Sequence, residues 1–267
     1  MNKKGKPSSL HHYTSMDVLV ALLNGVGPNQ NDGQDNRLYF TFHASNAYQM
    51  NDKIEGTMLL NKFFTESKIK TEYWEQYMRV EEDEGEIYII SLCRSNSKSK
   101  DSGSIPMWGM YGNKGYGTIL VFDYNKLNEY ISQCPNMFLA ECQYINSKGL
   151  ETLTKEKNKE IKEARDKVRI LTSLQLEAFE LKDWHWEYEN EWRILVKSHD
   201  SKIKASNHGA VSYIEVRIPV NCVRAIIIGT LVEFDPIKRI LDKRVEELFK
   251  QDNSININIK HSNLQIR

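Results

Sequence analysis

The stretch Trp184-His185-Trp186-Glu187-Tyr188-Glu189-Asn190-Glu191-Trp192-Arg193-Ile194-Leu195-Val196 decides how the rest of the chain is read. With the two-residue period of a β-strand, one face carries Trp184, Trp186, Tyr188, Trp192, Ile194 and Val196, and the other His185, Glu187, Glu189, Glu191 and Arg193. The first set predicts a core face, because burying one large apolar side chain gains roughly 1.5–3 kcal/mol. The second places three carboxylates at alternate positions along one wall. Like charges that close repel, so the wall is either a solvated face or a site.

Working outward, Glu86 to Cys93 (EIYIISLC), Gly117 to Asp123 (GTILVFD) and Val223 to Gly229 (VRAIIIG) predict buried strands, with further strands at 37–42, 138–144, 211–218 and 254–259. Helical spacing of apolar residues predicts helices over 16–23, 44–67, 124–132 and 148–180, with 68–84 a charged second helix or mobile segment. A last helix opens at Asp235-Pro236, with Asp as cap and a stripe of Ile237, Ile240, Leu241, Val245, Leu248 and Phe249. The Ser/Lys/Gly segment 94–104 has no apolar content and predicts a flap-like loop. Strands and helices interleave without a repeating unit or a glycine-rich turn after the first strand, which predicts a mixed α+β fold rather than a doubly wound nucleotide fold. Residues 1–9 read as a disordered N-terminal tail and 10–267 as a single domain.

Thirty-six acidic residues balance thirty-six basic ones, so no global field draws the chain to nucleic acid or an anionic membrane. The longest apolar runs are short and the N-terminus is polar, which predicts neither a membrane span nor a secretion signal. Cys93, Cys134, Cys142 and Cys222 are far apart with no C-x-x-C pair, a usage that fits reduced thiols in the cytoplasm and gives no metal cluster. P-loop, G-x-S-x-G and H-E-x-x-H signatures are absent. What remains is a dispersed set: His12 and Thr14, Tyr39 and Tyr48, Trp108 and Tyr111, Glu189 and Glu191. Each has a plain structural reading. His12 is a satisfied or surface histidine, Tyr39 and Tyr48 are core residues, Trp108 and Tyr111 a plug under a loop, and Arg193 an ion-pair partner of Glu191.

Taken together, His12-Tyr13-Thr14-Ser15, Met50-Asn51-Asp52 with Glu55, Met107-Trp108-x-x-Tyr111-Gly112 and Glu191-Trp192-Arg193 resemble a bacterial domain-of-unknown-function family marked by HYTS, MND-P-x-E, MW-x-x-YG and EWR. Lys53 stands where that family has proline. The resemblance spans about residues 10–245. The pattern is in turn similar to the ADP-ribosyltransferase superfamily, in the branch with a His, Tyr, Glu triad. It implies a mainly antiparallel split sheet with flanking helices, NAD as substrate, and an acceptor that is protein or nucleic acid. By this resemblance His12, Glu191 and Glu189 are catalytic. Tyr13, Thr14, Tyr39, Tyr48, Ser91, Trp108, Tyr111 and Arg193 surround NAD, with the stacking pair either the two tyrosines at 39 and 48 or Trp108 with Tyr111.

The implied chemistry suits these residue types. Cleaving the bond between ribose and nicotinamide passes through an oxocarbenium-like transition state, where a nearby carboxylate is worth most. Glu191 would take that role, Glu189 would orient or deprotonate the acceptor, aromatic rings would stack on the nicotinamide cation, and Arg193 would meet the pyrophosphate. A toxin or phage-defence role follows by family analogy alone. Two other classes stay open: a non-catalytic module that senses a nucleotide or phage component, and a metal-dependent nuclease using Asp52, Glu55 and the 187–191 carboxylates.

Overall fold

A computed structural model describes residues 5–28, 36–49, 57–66, 75, 85–95, 102–206 and 209–265. In chain order they form β1 (Ser9–Thr14), α1 (Met16–Asn24), β2 (Gly27–Pro28), β3 (Leu38–Asn46), α2 (Thr57–Glu66), β4 (Glu86–Arg94) and α3 (Ile105–Met110). There follow β5 (Thr118–Asp123), α4 (Tyr124–Ser132), β6 (Met137–Glu141), β7 (Gln143–Ile145), α5 (Ser147–Glu163), α6 (Lys167–Glu180) and β8 (Leu181–Asp183). The last are β9 (Glu191–Ser198), β10 (Lys202–Ser206), β11 (Gly209–Pro219), β12 (Val223–Ile228), α7 (Phe234–Gln251) and β13 (Asn258–His261). They make two compact units, one from the described residues within 1–42, 92–134 and 215–267, the other from those within 43–91 and 135–214.

In the first unit β1 is central, antiparallel to β4 on one side and to β5 on the other, with Ser9 opposite Asp123 and Thr14 opposite Thr118. β12 adds antiparallel to β5, and β13 parallel to β12. β5 and β12 are apolar on both faces and buried almost throughout, Ile119 and Val121 as much as Leu120 and Phe122, as strands inside a sheet covered on both sides must be. Ser15 caps α1 by accepting the Val18 N–H at 3.3 Å, and Leu19, Leu22 and Leu23 bury its inner face. Arg244 of α7 donates to the Leu23 carbonyl at 2.9 Å, satisfying a helix end that has no partner of its own.

In the second unit β9 pairs antiparallel with β6, β3 with β4, and β10 with β11. The three helices α2, α5 and α6 bury Leu59, Phe63, Ile161, Leu171 and Leu174 in one cluster. β7 and β8 form a separate parallel pair, with Gln143 opposite Leu181 and Ile145 opposite Asp183.

The fold is therefore α+β, as the interleaving predicts, and mainly antiparallel with helices alongside. Several boundaries move. The predicted helix over 148–180 is two helices, because Ala164 is extended and Asp166 caps a new start by accepting the Arg169 N–H. The predicted helix over 44–67 opens as strand to Asn46 and a 3-10 turn at Ala47–Gln49, and residues 50–56 lie outside the described residues, as do 67–74, 76–84 and 96–101. α7 starts at Phe234, so Asp235 lies inside it rather than capping it, and Ile240 and Phe249 of the predicted stripe are exposed. No helix among the described residues is long and apolar enough to cross a membrane.

Gly229, just past β12, lets backbones meet: its N–H donates to the Gly117 carbonyl at 3.0 Å, and a Cβ there would collide with the Gly115 carbonyl. Gly229→Ala should therefore cost more than about 2 kcal/mol in urea unfolding, with no comparable loss for Gly27→Ala, where a Cβ meets open space.

Candidate functional site

The Trp-rich stretch is not one strand. Asp183 accepts the His185 N–H at 3.0 Å and its carboxylate meets His185 Nδ1 at 2.5 Å, which starts a 3-10 turn over Trp184–Glu189. Asn190 then takes a left-handed conformation (φ 45°), a role Asn tolerates better than most residues, and β9 begins at Glu191. From there the strand is buried on both faces, with Trp192, Ile194 and Val196 on one and Glu191, Arg193 and Leu195 on the other. The predicted core face fails before Asn190, since Trp184 is 51% and Tyr188 43% exposed. The local caps overrode the period-two pattern.

The turn brings charges inward. Glu189 and Glu191 are only 4% and 3% exposed. Lys182 of β8 donates from Nζ to Glu189 Oε2 at 2.5 Å and to Glu191 Oε2 at 2.8 Å. Arg193 grips Glu191 with both sides of its fork, Nε to Oε1 at 3.0 Å and Nη2 to Oε2 at 3.1 Å, while Nη1 donates to the Phe179 carbonyl at 2.8 Å. The backbone of Glu191 is fixed too: its N–H donates to the Tyr144 hydroxyl at 2.7 Å, and its carbonyl accepts the Cys142 N–H at 2.9 Å. Two anions and two cations thus close a neutral buried quartet. Burial works to raise the Glu191 carboxyl, but the Arg193 and Lys182 charges outweigh it and hold that group down at about 2. Burial pushes the Tyr144 hydroxyl up, so it stays a neutral phenol.

Chemically, the quartet offers an ionised carboxylate of fixed orientation, with a second carboxylate two residues upstream. The plain reading of Arg193 as partner of Glu191 is what the structure contains. Neither Lys182 nor Tyr144 stands out in the sequence. Two carboxylates and one arginine buried together call for a second cation, but Lys197 lies as near in the sequence as Lys182, and only the fold brings Lys182 to the pair.

Tyr48, in the same unit, sets its ring edge-on to Phe179 at 5.2 Å, the residue whose carbonyl holds Arg193, and Ser91 is half-buried in β4. In the first unit, His12 is half-buried on β1 and sits edge-on to Phe42 at 5.6 Å. Tyr13 accepts the Ser104 N–H at 2.9 Å and meets Trp108 edge-on at 5.5 Å. Thr14 is buried at the end of β1. Trp108 is wholly enclosed, donating its indole N–H to the Ser102 carbonyl at 2.7 Å, so its ring offers no open face; Tyr111 is 42% exposed. Tyr39 is buried beside Tyr130 and Arg37. Met50, Asn51, Asp52 and Glu55 lie outside the described residues.

A family model described as a protein of unknown function (DUF2971) matches residues 107–194, about a third of the chain, running from the Met107-Trp108 motif to just past Arg193. No curated protein matches the chain. Among solved structures, Thermus sp. 2.9 DarT in complex with NAD+ is similar at 9% identity and a TM-score of 0.30, over 97% of this chain and 98% of that one. A score that low carries no argument.

Because the Glu191 carboxyl is depressed, its contribution to stability is complete at neutral pH and is lost as pH falls from the ordinary carboxylate range toward 2. Arg193→Met leaves Glu191 with one cation and should cost about 3–5 kcal/mol at pH 7. In urea unfolding followed across pH, the fall in stability from the ordinary carboxylate range toward pH 2 should be shallower in Arg193→Met than in the unsubstituted protein, because the Glu191 carboxyl there takes up its proton closer to its unfolded value.

Proposed function

We propose that the protein is an NAD-consuming enzyme of ADP-ribosyltransferase kind, with Glu191 as the carboxylate that meets the ribosyl cation. The observation that carries this reading is the state of Glu191: an anion at the first position of a strand, kept charged and aimed by Arg193 and Lys182. Such preorganised charge is what oxocarbenium chemistry needs, since it costs no reorganisation when positive charge develops.

In the reaction, the bond between ribose C1 and the nicotinamide nitrogen breaks, its electron pair leaving with neutral nicotinamide. The acceptor attacks C1 and gives up a proton, for which Glu189 is the base. The burial of both carboxylates sets a condition: ribose reaches them only when the exposed turn Trp184–Glu189 shifts. The sequence resemblance adds His12 and Thr14 as hydrogen-bonding partners of ribose and carboxamide. It also adds Tyr13, Tyr39, Tyr48, Ser91 and Tyr111 around the dinucleotide, and Arg193 at the pyrophosphate, a role that competes with its grip on Glu191. The same resemblance supports a split sheet of ADP-ribosyltransferase type and a toxin or phage-defence role, and the cysteine usage supports a cytoplasmic setting.

That burial also favours a second reading, a module that binds a nucleotide and does not turn it over. Incubation with adenine-labelled NAD separates the two. Catalysis predicts nicotinamide release that falls about 10²–10³-fold in Glu191→Gln, with label retained on protein or nucleic acid if there is a macromolecular acceptor. Calorimetric binding of NAD or ADP-ribose without any release, equal in both proteins, would establish the sensor instead. His12→Ala should raise KM if its assigned contact with ribose is correct.

A further inference from the structure

The proposed mechanism needs two carboxylates at one reacting centre, and two carboxylates resist being there. Lys182 Nζ reaches Glu189 Oε2 at 2.5 Å and Glu191 Oε2 at 2.8 Å, so those oxygens are at most about 5 Å apart. At that separation two full negative charges repel by roughly 3 kcal/mol at an effective dielectric of 20. Arg193 grips both oxygens of Glu191 and the Phe179 carbonyl. Lys182 touches both carboxylates.

We infer that Lys182 is the positioning residue of this site, a single ammonium that ties Glu189 on the turn to Glu191 on β9 so that both carboxylates face one substrate. The inference rests on the ADP-ribosyl-transfer reading for its catalytic meaning, while the tie itself is a matter of geometry. Three features support it. Lys182 is itself buried, so its position is set by packing rather than by solvent. Its Nζ lies over the Trp186 ring at 5.4 Å, so the same ammonium holds an aromatic ring of the turn. And β8, which carries it, is locked parallel to β7, whose Tyr144 hydroxyl receives the Glu191 N–H.

The groups that share this charge balance are Glu189 and Tyr188 on the turn, Glu191 and Arg193 on β9, and Tyr144 on β7. With Lys182 neutral, one arginine would have to offset two carboxylates, and one of the pair would take up a proton in the ordinary carboxylate range or above. The pair would then no longer act as base and counter-charge together.

Glutamate carboxyl carbons labelled with 13C, assigned with Glu189→Gln and Glu191→Gln, report this directly. In the unsubstituted protein Glu191 should stay ionised throughout a titration down to the bottom of the carboxylate range. In Lys182→Met or Lys182→Gln, one carboxyl of the pair should titrate at least one pH unit higher, the acid limb of kcat/KM for nicotinamide release should move with it, and kcat should fall at least tenfold. Lys182→Arg should retain the titration and most of the turnover, which a purely structural lysine does not require. An unchanged titration and acid limb in both uncharged variants overturns the inference. If neither folds, 15N-labelled lysine in the unsubstituted protein replaces them: a slowly exchanging Lys182 ammonium should correlate through hydrogen bonds with both carboxyl carbons, and correlation with one only overturns the inference. A carboxyl response without nicotinamide release in any protein supports the tie and defeats the enzymatic reading, so the two failures are distinct.

Discussion

A carboxylate removed from water is tolerated only where cations are built to meet it, and the segment from β8 to β9 is shaped by that demand. Stripping Glu191 of solvent costs several kcal/mol, which its partners must offset. Arg193 does so with a planar fork on both oxygens and Lys182 with a point charge shared with Glu189. For these four side chains to converge, the chain must leave β8, fold back within seven residues and re-enter as strand. The Asp183 cap, the 3-10 turn and the left-handed Asn190 together accomplish this. The aromatic residues that look like a core face in the sequence are displaced outward by the same turn, which is why Trp184 and Tyr188 are exposed while charged residues lie inside.

The first unit contains a comparable arrangement made of neutral groups. Trp108 donates to the Ser102 carbonyl, which also accepts from Ser262, and the Ser102 hydroxyl meets Asn263. Tyr13 accepts from Ser104 and packs against the Trp108 ring. Gly112 is required there, because a Cβ would collide with that ring, and Gly103 (φ 77°) sits against Tyr13 and Trp108 with no room for a side chain. Two motifs that look independent in the sequence, His12-Tyr13-Thr14-Ser15 and Met107-Trp108-x-x-Tyr111-Gly112, thus meet through Tyr13 and Trp108. For Trp108 the plain reading as a plug holds, and its ring is spent on packing.

What the sequence makes legible follows from the range of the forces involved. The strands Glu86–Arg94, Thr118–Asp123 and Val223–Ile228 are readable because continuous burial leaves a run of apolar residues, and α4 at Tyr124–Ser132 because Asp123 caps it locally. The break of 148–180 at Ala164–Asp166 and the turn at 184–189 are harder, because in each a cap of one or two hydrogen bonds outweighs a longer periodic pattern. In the site, Glu189, Glu191 and Arg193 stand out by their spacing. Lys182 does not, since a lysine in a charged segment looks solvated until the strand pairing of β7 with β8 shows it buried. Tyr144 escapes for the same reason: its role depends on a backbone N–H some forty-seven positions away.

The neutrality of the quartet also weighs between the chemistries that two close carboxylates suggest. A divalent metal bound there would need Glu189 and Glu191 as oxygen ligands, yet the lone pairs it would use already accept from an ammonium and a guanidinium. The ion would have to displace Lys182 and then lie beside Arg193, a cation that stays charged at any working pH. A ribosyl cation asks for less. It develops its charge only in the transition state, needs no fixed coordination number, and gains from a carboxylate whose other contacts persist. A buried anion pair held by two basic side chains is therefore a poor cradle for a resident metal and a workable counter-charge for a transient carbocation.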